Sequence, residues 1–136
     1  MVLLIDTNIL LDVLDERKGF VEDSLAVWKI CESGKAKGYI STLSFVNMIY
    51  VMRKKYSKDK ITNLYKISNL IFAYSDLSSE TLRNAAEMGW PDYEDAIQEV
   101  TAEYVKADYI VTRNIADFKN SNIETITPTE LISKFV

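Results

Sequence analysis

Four consecutive apolar residues, Val2, Leu3, Leu4 and Ile5, end abruptly at Asp6. A strand with one face in water alternates apolar and polar residues. A run without alternation suits a strand buried on both faces, as in a parallel sheet covered by helices. Residues 38–41, Tyr109–Val111 and residues 123–126 read as further strands, and 70–74 fits a strand as well as a helix end. Between them lie helical patterns. Residues 8–14 and 20–32 space their apolar side chains helically, the second ending at Gly34 as a C-cap. Thr42 or Ser44 can cap a helix to about Tyr56, residues 61–70 form another, and Ser78 or Ser79 caps one through Met88. Pro91 opens a helix over 92–106, and Pro128 starts the terminal helix through Phe135. The alternation predicts an α/β fold: a three-layer α/β/α sandwich around a central, mostly parallel sheet.

A parallel sheet gathers ligands at the carboxyl ends of its strands. Asp6 sits at such an end, and Asp117 follows the Tyr109–Val111 strand in a polar loop. Asp95 lies near the start of the helix over 92–106, three residues after Asp92 and so on its face. Each has an ordinary explanation: Asp6 as an N-cap, and Asp92, Glu94 and Asp95 as first-turn acids favoured by the helix dipole. Their joint placement at one sheet edge is harder to explain that way. Carboxylates gathered there repel one another, which a bound cation turns into attraction, and oxygen donors suit a hard divalent ion.

Composition narrows the chemistry further. The chain has no histidine and one cysteine, Cys31. Ser-His-Asp and Cys-His triads, histidine-ligated zinc and thiolate zinc cages are therefore excluded. Hydrolysis must run on carboxylates, hydroxyls, amines or a metal held by oxygen, and the gathered carboxylates point to a metal-dependent nuclease. At 136 residues, with 48% hydrophobic and 26% charged residues, the expectation is one globular domain spanning 1–136. A lone cysteine and the lack of a signal peptide or membrane span place it in the cytoplasm, with no membrane partner.

The net charge is −4, yet residues 53–60 carry five basic groups and one acid. This stretch reads either as a solvated helix end or as a phosphate-tracking patch in which Lys54 and Lys55 bind backbone and Tyr56 stacks.

The stretches Asp6-Thr7-Asn8, Asp92-Tyr93-Glu94-Asp95-Ala96 and Tyr109-Ile110-Val111-Thr112-Arg113-Asn114, running on to Asp117-Phe118, resemble the successive motifs of PIN domains. They are most similar to those of the VapC-like ribonuclease toxins of prokaryotic toxin–antitoxin pairs. The ending Ile126-Thr127-Pro128-Thr129-Glu130-Leu131 also resembles that family's. The likeness spans essentially the whole chain. It implies an acidic pocket that binds Mg2+ or Mn2+ and cuts single-stranded or looped RNA, with a cognate antitoxin and a homodimer as partners. Asp6 matches the family's first acid and Asp95 its third. The fourth falls at Asn114 in many members, and at Asp117 in those with the Thr-Arg-Asn form. Asp6, Asp95 and Asp117 are thus the expected catalytic and metal-holding residues. Asn8, Asp92 and Asn114 are expected around them as supporting or substitute ligands, and Thr112 and Arg113 on the phosphate.

One departure stands out. Where the family usually has a glutamate, in the helix after the second strand, this chain has Asn47, flanked by Phe45, Val46, Met48, Ile49 and Tyr50. An amide oxygen can ligate a metal but brings no charge and no base. The alternative reading is a catalytically weakened PIN-like module that binds RNA or a protein without cutting. A phosphoryl-accepting Asp6 is disfavoured because no second Asp follows two residues on, and no Gly-rich phosphate loop exists.

Overall fold

The structure, a computed structural model, describes residues 1–136. Five strands form one sheet: β1 Val2–Ile5, β2 Lys37–Ser41, β3 Ala73–Ser75, β4 Tyr109–Val111 and β5 Glu124–Ile126. Their order is β3-β2-β1-β4-β5, and every pairing is parallel. The chain winds from β1 outward through β2 to β3, then returns to the other side of β1 for β4 and β5. The strand order therefore reverses beside β1, between it and β4.

The helices are α1 Thr7–Leu14, α2 Val21–Glu32, α3 Thr42–Val51, α4 Lys58–Ile71, α5 Ser79–Glu87, α6 Tyr93–Tyr104 and α7 Pro128–Ser133. Alternation along β1 assigns them to two layers. Leu3 and Ile5 point into the larger core with Ile9 and Leu10 of α1, Val27 and Trp28 of α2, Met48 of α3 and Leu131 of α7. Leu4 points the other way, against Ala102 of α6, Ile110 and Phe118. All three β1 side chains are wholly buried, as the unalternated run requires. The predicted three-layer α/β/α sandwich is the observed one, and the sheet is wholly parallel. No helix is long and apolar enough to cross a membrane.

Several boundaries differ from expectation. α3 is capped by Ser41, whose Oγ accepts from Leu43 N–H at 3.1 Å, instead of by Thr42 or Ser44. It stops at Val51, not near Tyr56, and turns occupy the basic residues Arg53 to Lys55. α4 runs through Ile71, so the stretch 70–74 divides between a helix end and a strand that starts only at Ala73. α6 is capped by the Asp92 side chain, which leaves Pro91 outside it. α7 ends at Ser133, short of Phe135.

Gly38 in β2 is fixed by packing. A Cβ there would stand 2.6 Å from Cys31 Sγ and 3.0 Å from Phe72 Cδ1. Gly38→Ala is therefore expected to cost about 1–3 kcal/mol by overpacking, measurable as a shift in the urea midpoint at constant m. An unchanged midpoint would mean that α2 and Phe72 yield freely.

Candidate active site

The reversal of strand order puts the ends of β1 and β4 side by side, the place where open parallel sheets collect ligands. Asp6 emerges there, its backbone N–H bonded to Val111 O at 3.0 Å. It caps α1: Oδ1 accepts from Thr7 N–H at 2.8 Å. Oδ2 accepts from the Thr112 hydroxyl at 2.8 Å and from Asn8 Nδ2 at 3.2 Å. The capping role and a site role are therefore not alternatives, since the geometry that ends β1 also aims the carboxylate at the sheet edge. Asp6 is 7% exposed. Burial is the main reason its pKa is pushed up to about 6, helped by Glu94 and Asp117 and opposed by the bonds from Thr112 and Thr7.

α6 enters the same edge from the opposite layer. Asp95, in its first turn, is half-buried, and its pKa is pushed up to about 7 by burial, then by Asp92, Asp6, Asp117 and Glu94. Asp6, Glu94, Asp95 and Asp117 thus share one field of mutual repulsion. Asp117 sits in a 3-10 turn, Ile115–Phe118, and is exposed. That turn is braced from α6, where the buried Glu99 accepts from the Ser121 hydroxyl at 3.0 Å and from Asn122 N–H at 2.9 Å. Burial raises the Glu99 pKa above the usual carboxylate value.

The other expected residues divide. Asn8 is at the site, in contact with Asp6, and Asn114 donates its N–H to Thr112 Oγ at 3.0 Å. Asp92 spends its carboxylate on capping α6, accepting Asp95 N–H at 3.1 Å. Thr112 is wholly buried and orients Asp6 instead of facing solvent phosphate. Arg113 is likewise engaged: its Nε donates to the buried Asp12 at 2.8 Å, and its guanidinium lies 4.0 Å from the centre of the Phe20 ring. Asn47 is half-buried on α3, one turn beyond Ser44 and on its face. Lys54 and Lys55 are not brought to the carboxylates. α3 leaves the sheet edge at Thr42, and ten helical residues carry the chain about 15 Å away. Lys55 pairs with Asp15 at 3.1 Å, while Arg53 lies over Tyr50.

Three participants escaped the sequence reading: Glu94, Ser44 and Gln98. The Thr7 hydroxyl donates to Ser44 Oγ at 2.9 Å and reaches Glu94 Oε1 at 3.4 Å. Gln98 Nε2 donates to Ser44 Oγ at 2.9 Å. Gln98 lies one helical turn from Glu94, the one sequence signal that links them.

Every group in this set is a hard oxygen donor, and the buried Asn8 Oδ1 and Gln98 Oε1 have no hydrogen-bond partner. No three carboxylates close on one point tightly enough to chelate an ion by themselves. Mg2+ does not need that, because it keeps several waters and is usually held by one or two carboxylates. The set fits such an ion.

Comparison with known proteins agrees with this architecture. No curated protein sequence matches the chain. Among solved structures, a toxin–antitoxin complex from Klebsiella pneumoniae superposes with a TM-score of 0.68 at 21% identity, covering 92% of this chain and 96% of that one. VapBC2 from Rickettsia felis, bound to a DNA fragment from its promoter, gives 0.69 at 16% identity, with 93% and 98% covered. FitAcB from Neisseria gonorrhoeae gives 0.62 at 17% identity, with 93% and 98% covered. Identities this low speak for the fold alone. The family follows from a sequence model described as PIN domain, which matches residues 2–116, and the chain belongs to that family.

Proposed function

We propose that this chain is a VapC-like toxin, an endoribonuclease that depends on Mg2+ or Mn2+ and is silenced by a cognate antitoxin. The observation that carries the reading is the meeting of Asp6, Asp95, Glu94 and Asp117 in one repulsive field at the β1–β4 reversal. Asp6 and Asp95 would hold the cation, and Asp117 would complete the site from the opposite lip. When bound, the cation would polarise the scissile phosphate and lower the pKa of its water. The chain's own part is orientation: Thr112, Asn8 and the Thr7 N–H fix both Asp6 oxygens, and Glu99 braces the loop bearing Asp117.

The toxin half of the reading is supported by a structural neighbour described as a toxin–antitoxin complex. Exposed apolar side chains on α3 and α4, among them Val46, Tyr50, Val51, Ile67 and Leu70, offer surface to a protein partner or a second copy. A cytoplasmic setting follows from the same reading. Asn47, neutral and on the face shared with Ser44, favours a second reading, a PIN-like module that grips RNA or protein without cutting.

Incubating the purified protein with unstructured and looped RNAs separates the two. Cleavage is expected with Mg2+ or Mn2+ and absent in chelator. Asp95→Asn should cut at least roughly a hundredfold more slowly, while binding RNA as tightly or more so, a negative charge near phosphate having gone. RNA bound but never cut under either metal would put the binding module first.

A further inference from the structure

α6 presents two polar rows to the site, and only one has a role so far. Asp95 and Glu99, one turn apart, share a face, and Glu99 holds the loop beyond Asp117. Glu94 and Gln98, also one turn apart, form the neighbouring row and meet α1 and α3. Glu94 Oε1 lies 3.4 Å from the Thr7 hydroxyl, and Gln98 Nε2 reaches Ser44 at 2.9 Å and Thr7 at 3.4 Å. On that wall α3 supplies the neutral Ser44, and the whole of α3 carries no charged residue. Glu94 is the carboxylate that reaches it, through Thr7, the residue next to Asp6.

A second observation concerns the same wall. Gln98 is 1% exposed, yet its Oε1 lacks a donor, and Asn8 Oδ1 on α1 is buried in the same condition. A buried acceptor left empty costs about 1–3 kcal/mol. Water held by a cation donates to such acceptors, and the affinity of oxygen-ligand sites for a divalent ion rises with the ligand charge.

Building on the metal-centre reading above, we infer that Glu94 is a further carboxylate of this centre, serving the cation through its water on the Thr7–Ser44 wall, with Gln98 Oε1 accepting from the same water shell. Glu94, not α3, then supplies the negative charge on that side, and the neutral Asn47 does not leave the site open.

The test is a Mn2+ titration of the metal-free protein, with free ion read by electron paramagnetic resonance, for wild type, Asp6→Asn, Glu94→Gln and Asp92→Asn. Glu94→Gln should weaken Mn2+ binding roughly tenfold or more. Asp92→Asn removes one charge from the same helix end but leaves a competent cap, and should weaken binding far less than Glu94→Gln. Glu94→Gln keeps the side chain's shape and an acceptor for Thr7. An unchanged melt in chelator checks its fold, and Glu94→Ala is read in the same way should it not fold. Wild-type affinity in Glu94→Gln, with binding lost in Asp6→Asn, overturns the Glu94 assignment and leaves the metal centre standing. Equal weakening by Asp92→Asn overturns it too, since only the general field would then be at work. Binding as feeble in wild type as in Asp6→Asn removes the centre itself, and the assignment with it.

Discussion

Asp6→Asn is expected to silence the protein and to stabilise it at neutral pH in the absence of metal. The first effect follows from the place of Asp6 at the head of β1, where both oxygens are already oriented by Thr7, Asn8 and Thr112. Loss of such a carboxylate should lower cleavage by at least about a hundredfold and abolish any rise in melting temperature on adding Mn2+. The second effect comes from burial. Asp6 has its pKa raised from 3.8 to about 6 in the folded state, so the fold prefers it protonated. The folded protein then binds more protons than the unfolded chain between those values, and stability falls as pH rises through them. The contribution is fully present below about pH 4 and gone above the folded pKa of about 6. At neutral pH the penalty is of order 3 kcal/mol. Asparagine carries no such charge, so its melting temperature in chelator should exceed wild type at pH 7 and converge with it near pH 4. Asp95, with its pKa at about 7, pushes the wild type the same way. A wild-type melting curve indifferent to pH between 4 and 7, with no gain in Asp6→Asn, would mean that burial does not disfavour the Asp6 charge.

The sheet was legible in the sequence, because Val2–Ile5 and Tyr109–Val111 are apolar on both faces and a covered parallel sheet accommodates that. β3 was not resolved from α4. Leu70, Ile71 and Phe72 lead into it without a polar break, and periodicity cannot separate a short buried strand from the last turn of a buried helix. The start of α6 was misplaced because Pro91 and Asp92 are both good helix openers, and the choice fell to the carboxylate that satisfies Asp95 N–H. Asp6 and Asp95 could be read as site candidates from strand ends and helix starts alone.

Glu94 could not, since neighbours on a helix point about 100° apart and one of the pair is expected to miss. Docking α6 against the sheet edge puts both acids in the field of Asp6, and that is a tertiary fact. Lys54 and Lys55, in the turn beyond the far end of α3, stand apart from the carboxylates, a placement that charge in sequence does not reveal.

The same limit applies to Arg113, whose partner Asp12 is 101 residues away. No local signal announces that pair, yet it carries the largest stability effect expected here. The Asp12 side chain is wholly inaccessible. It takes Arg113 Nε and the Ser24 hydroxyl on one oxygen, both at 2.8 Å, with Arg17 more distant at 3.9 Å. Removing one partner from a buried pair leaves an uncompensated charge, so Arg113→Ala should cost about 3–5 kcal/mol, a large part of a net stability typically of 5–15 kcal/mol. Arg113→Lys should recover little. A lysine is a point charge that does not reproduce the planar guanidinium, which binds Asp12 edge-on and covers Phe20. The double variant Arg113→Met with Asp12→Leu should recover most of the loss, because an apolar pair of similar volume often matches a buried ion pair. Urea denaturation measures all three. The site should feel the single change as well, since Thr112, the residue before Arg113, holds Asp6 Oδ2. If Arg113→Ala loses less than about 1 kcal/mol, Arg17 and Ser24 suffice for Asp12, and the Arg113 guanidinium is free to serve the RNA phosphate after all.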